Sequence, residues 1–74
     1  MAQLSVISGR KAREAFVKAG WRFDRQRGSH MILTKPLMPF NLSVLDHREL
    51  DRGLLRGLIR DSGMSVEQFL ELLD

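Results

Sequence analysis

The sequence predicts an α+β domain, a three-stranded antiparallel sheet with helices packed on one face. Three observations carry this. Apolar residues recur at helical spacing near both ends of the chain: Ala12, Ala15, Phe16 and Ala19 first, then Leu54, Leu55, Leu58 and Ile59. Between these stretches, short runs alternate apolar and polar side chains, the period of half-buried strands. Two of those runs are separated only by a short link at Arg27-Gly28, which implies a hairpin.

The chain as a whole sets limits. Seventy-four residues, 43% of them hydrophobic, make one small domain over residues 1–74 with a modest core and no room for a buried cofactor, so none is expected. There is no cysteine, which removes disulfides, thiolate metal sites and a cysteine nucleophile, and fits a reducing cytoplasm. Residues 1–7 lack the charged start and long apolar core of a signal peptide, and no apolar run is long enough to span a bilayer. The expected location is therefore cytoplasmic, with no membrane partner. Charge is uneven. Residues 1–45 carry a net +6 and residues 46–74 a net −3, which suggests a basic surface for a polyanion.

Taken in order, Ser8 is placed to cap a helix over about 9–19, and Gly20 to stop it. Trp21 to Gln26 reads as a strand with Trp21 and Phe23 inward and Arg25 on their parity. Trp21 could alternatively stack on a base, but core packing is favoured. Residues 29–35 form the second strand. Its parity is open, because His30, Ile32 and Thr34 share one face and Met31 and Leu33 the other. Two prolines make 36–40 a loop, yet Leu37, Met38 and Phe40 are apolar; they either fold over the sheet or await a partner. Residues 41–45 give a third strand with Leu42 and Val44 inward. Asp51 caps a helix over about 52–61, where Arg52, Arg56 and Arg60 form either a solvated face or a rail for phosphates. Gly53 and Gly57 weaken that helix and suggest close packing. Ser65 and Gln68 make a capping box for a last helix over about 66–73, with Met64 and Phe69 at the positions of a hydrophobic staple.

The chemistry on offer is narrow. Two histidines on separate elements, with no cysteine, are a poor metal site, so no metal is expected. Ser29 and His30 alternate across a strand, the wrong geometry for a nucleophile and its base. A metal-free reaction remains. RNA supplies its own nucleophile, the 2′-OH, and needs a base, an acid and positive charge near the phosphate. His30 can carry a proton near neutrality, and Arg25, Arg27 and Lys35 supply charge.

The run Arg25-Gln26-Arg27-Gly28-Ser29-His30 resembles the Gly-Ser-His signature of the HicA, or YcfA-like, mRNA interferase toxins. Ser8-Gly9, Ala19-Gly20-Trp21, His47, the run Leu55-Arg56-Gly57-Leu58-Ile59-Arg60-Asp61-Ser62-Gly63-Met64-Ser65 and Glu67-Gln68-Phe69-Leu70 fall in register, so the likeness extends over about residues 5–73. The resemblance implies a double-stranded-RNA-binding-domain-like α-β-β-β-α fold, cleavage of translated mRNA, and inhibition by a cognate HicB-like antitoxin. It makes His30 the catalytic histidine. The chain departs from the pattern in four places. Met31 stands where many members have a second histidine, and Leu45 and Arg52 stand where proline is usual; the 36–40 loop is more apolar than in most.

The expected function is thus a toxin of a type II toxin–antitoxin system, a metal-independent endoribonuclease. His30 is its general acid or base, and Arg25, Arg27, Gly28, Ser29 and Lys35 lie at the RNA. His47 is a candidate second proton carrier. Expected partners are mRNA and the antitoxin, with no DNA contact by this chain alone. The alternative is a non-catalytic RNA-binding module of the same fold, which needs the basic face but not His30.

Overall fold

The computed structural model describes residues 6–73; residues 1–5, part of the segment read above as no signal peptide, and residue 74 lie outside the described residues. The order is α1 (Gly9–Lys18), β1 (Arg22–Arg27), β2 (His30–Thr34), β3 (Leu42–Leu45), α2 (Arg52–Asp61) and α3 (Val66–Leu72). The strands form one antiparallel sheet in the order β1-β2-β3. This is the α-β-β-β-α arrangement expected, with a further C-terminal helix.

The helices begin and end where local chemistry dictates. Ser8 Oγ accepts from the Lys11 N–H, Asp51 Oδ2 from the Leu54 N–H, and Ser65 and Gln68 bond reciprocally as a capping box. At the end of α1 the Gly20 N–H donates to Val17 O and the Trp21 N–H to Phe16 O, a Schellman motif that leads directly into the sheet. Gly63 repeats the motif after α2. Met38 donates to Lys35 O across a turn whose third residue, Leu37, has φ 69 and is fully exposed. The apolar loop therefore divides: Met38 folds against the core, whereas Leu37 and Phe40 stay outside.

The helices cover one face of the sheet. Ala12, Ala15 and Phe16 of α1, Leu55, Leu58 and Ile59 of α2, and Phe69 of α3 meet Trp21, Met31, Leu33, Leu42 and Val44. Phe16 and Phe69 pack with ring centroids 5.1 Å apart. Leu50, absent from the predicted core, is buried with them. Burial of Met31 and Leu33 settles the open parity of β2, since it turns His30, Ile32 and Thr34 to the bare face.

Four expectations are corrected. Phe23 is 45% exposed rather than core, because β1 is an outer strand whose residues from 22 to 27 are all exposed. It shares its face with Leu33 but stays partly open beside α1, where the Arg13 guanidinium lies 5.2 Å from its ring centroid. Arg25 is not on Phe23's parity. A bulge at Asp24 shifts the register, so Phe23 pairs with Leu33 but Arg25 with Ile32, and Arg25 passes to the bare face. Leu54 is exposed, so the buried stripe of α2 is Leu55, Leu58 and Ile59. Close packing at Gly53 and Gly57 is also absent. A Cβ at Gly57 would meet only the tip of Arg60, and one at Gly53 the Asp51 carboxylate. The glycine that marks close approach is Gly9, where a Cβ would stand 1.7 Å from Leu45 O. Its N–H donates to His47 O at 2.8 Å, which seats the start of α1 on the end of β3.

Candidate active site

The site is built on the hairpin. Arg27 and His30 pair across a two-residue turn of Gly28 and Ser29. Gly28 has φ 59 and Ser29 a negative φ, the sign pattern of a type II′ turn, which suits the twist of the strands it joins. A Cβ at Gly28 would meet nothing, so glycine is there for its backbone and not for space.

Register then decides which side chains share the bare face. Arg22 pairs with Thr34, Arg25 with Ile32 and Arg27 with His30, and on the other side His30 pairs with Leu45 and Ile32 with Ser43. Directly paired residues project to one side. Arg22, Arg25, Arg27, His30 and Ser43 therefore line the face that the helices leave uncovered. His30 is exposed, and its Nδ1 lies 3.0 Å from Ser43 Oγ. Nε2 is left for another partner. Arg25 is ion-paired to its neighbour Asp24. Arg27 has no ion-pair partner among the described residues, so its charge is the less compensated of the two beside His30.

The turn is held from the helix side. Gln26 Nε2 donates to Gly28 O at 3.0 Å and to Asp46 Oδ2 at 3.1 Å. The Asp46 N–H donates to Ser29 O at 2.7 Å, and its Oδ1 accepts from Arg10 Nε at 3.2 Å. Asp46 thus ties the hairpin, the end of β3 and α1 together. Its hydrogen bond from Arg10, and then that from Gln26, hold its carboxyl below the usual carboxylate range.

Not every expected site residue joins the cluster. Lys35 follows the far end of β2, where its Nζ donates to Ala19 O at 3.1 Å and stands 5.8 Å from the Trp21 ring centroid. It serves the end of α1 and is not beside His30. His47 is exposed, two residues beyond the Leu45 that pairs with His30, and no hydrogen bond joins the two imidazoles. Trp21 is 1% exposed, so it cannot act as a stacking platform. Ser43, Gln26 and Asp46 were not picked out from sequence. The inward parity of Leu42 and Val44 already turned Ser43 outward; only the strand register brings it to His30.

These features define a small two-layer α+β domain that carries a solvent-facing imidazole on the bare, cationic side of its sheet. Residues 9–64 match the family model described as HicA toxin of bacterial toxin-antitoxin, and the chain belongs to that family. Membership gives it the toxin role and an antitoxin as partner. No curated protein matches the chain. No helix among the described residues is long and apolar enough to cross a membrane.

Proposed function

We propose that the chain is an endoribonuclease that cleaves mRNA without a metal, with His30 as the proton-transfer group. The observation that supports this best is the shared face: an exposed imidazole, fixed at Nδ1 by Ser43, directly across the hairpin from Arg27. In the reaction the 2′-oxygen of the substrate bonds to the adjacent phosphorus, its proton passes to a base, and the bond from phosphorus to the 5′-oxygen breaks as that oxygen gains a proton. The product is a 2′,3′-cyclic phosphate. His30 Nε2 can take the first proton or give the second. Arg27, with Arg25 behind it, stabilises charge developing on the non-bridging oxygens. The Gly28-Ser29 turn lets the strand pass close by the backbone. His47 is the candidate for the other transfer. An mRNA substrate places the activity in the cytoplasm, and an antitoxin with acidic groups over the bare face would mask His30.

The test is cleavage of single-stranded RNA in EDTA by the parent and by His30→Ala. The parent is expected to cut and the variant to lose cleavage while still binding RNA. Full cleavage by the variant would remove His30 from the mechanism, and loss of parental cleavage in EDTA would remove the metal-free chemistry. Binding without cleavage by either form would point to the RNA-binding module instead.

A further inference from the structure

The two ring nitrogens of an imidazole are not equivalent once one has a partner. Ser43 stands on β3 opposite Ile32, diagonal to His30 on the same face, and its Oγ meets Nδ1 at 3.0 Å. Diagonal neighbours in an antiparallel pair are within reach of a side chain of this length. A neutral imidazole with its proton on Nδ1 donates to such an oxygen and keeps a lone pair on Nε2. After Nε2 takes a proton, the same Nδ1–H bond persists. The ring therefore need not turn between the two states. A histidine side chain with no partner at Nδ1 favours the opposite tautomer, with the proton on Nε2, which cannot act as a base at that atom.

We propose that Ser43 is a positioning residue: of the two roles its hydroxyl can take, it accepts from His30 Nδ1–H, the one arrangement that survives protonation at Nε2, and so makes Nε2 the nitrogen that exchanges the proton. The role in catalysis rests on the nuclease proposal above; the tautomer does not. Both Ser43 and His30 are exposed on the strand face, so substitution of the hydroxyl leaves the core contacts in place.

The experiment combines nitrogen NMR of the His30 ring with steady-state RNA cleavage, on the full chain as parent, Ser43→Ala and Ser43→Thr. At a pH where His30 is neutral, the parent ring is expected to be protonated at Nδ1, Ser43→Ala to revert to Nε2–H, and Ser43→Thr to restore the parent form. Ser43→Ala is expected to lower kcat about tenfold with KM unchanged, the effect of one hydrogen bond to a group that becomes charged. Ser43→Thr should keep the parental kcat. A parent ring already in the Nε2–H form, or a tautomer unchanged by Ser43→Ala, would overturn the proposal whatever the activity. Loss of cleavage in His30→Ala together with parental kcat in Ser43→Ala would overturn the catalytic role of Ser43 and leave the nuclease proposal standing. Cleavage that survives His30→Ala would overturn the nuclease proposal alone.

Discussion

Gly9→Ala is expected to be among the most damaging small substitutions in the chain. The added carbon would stand 1.7 Å from Leu45 O, 2.8 Å from the Leu45 carbonyl carbon and 3.3 Å from Asp46 Cα, all backbone atoms. An ordinary carbon–oxygen contact is about 3.3 Å, so α1 must retreat from β3 by roughly 1.5 Å. The retreat breaks the Gly9 N–H bond to His47 O and strains the Arg10–Asp46 pair. Overpacking costs about 1–3 kcal/mol and the lost backbone bond about 1 more. A total near 2–4 kcal/mol is a large part of the roughly 4–11 kcal/mol expected for a domain of this length. The melting temperature should fall by roughly 8–32 °C, followed by circular dichroism or by the fluorescence of the single tryptophan, Trp21. Gly57→Ala is the control. The same carbon meets only Arg60 Nη2 at 3.8 Å and improves helix propensity, so it should raise stability by about 0.5–1 kcal/mol. A Gly9→Ala protein melting within about 4 °C of the parent would show that α1 does not dock on β3 as described.

Two further outcomes are expected. Because Asp46 loses its proton more readily in the folded chain than in the unfolded one, its contribution is complete above the unfolded value, about 4, and is lost as pH falls through its lower folded value. The melting deficit of Asp46→Asn relative to the parent should therefore be greatest near neutrality and disappear in acid; a deficit independent of pH would contradict the Arg10–Asp46–Gln26 linkage. Arg27→Ala should weaken single-stranded RNA binding and reduce the slope of log affinity against log salt by about 0.7, whereas Arg25→Ala, whose charge Asp24 already offsets, should change it less. Equal slopes for the two variants would mean that the Asp24 pair does not persist in solution.

Much of the fold could be read from local pattern. Ser8, Asp51 and Ser65 announce helix starts because a cap needs only a side-chain oxygen and the next turn's N–H groups. Leu42 and Val44 gave the inner face of β3 by alternation alone. Arg25 misled because a bulge breaks the period of two, and nothing in the local sequence marks where the extra residue falls; Phe23 has the expected parity but lies on an outer strand, a position that only the sheet order reveals. Leu54 misled because the apolar stripe is wider than the surface it covers. At the site, His30 and Arg27 were legible, being close in sequence across a tight turn. Ser43 and Asp46 join it from residues distant in the chain, and Lys35 leaves it for Ala19 O; those placements depend on register and tertiary packing.

The extra residue at Asp24 has a consequence beyond the site. β1 forms one margin of the sheet, and an outer strand offers unpaired backbone groups to any other extended chain. A second copy approaching there would meet a kink at Asp24 that spoils regular ladder spacing, and it would set guanidinium groups against guanidinium groups. The displacement that turns Arg25 to the bare face thus also makes that border a poor template for pairing with another strand.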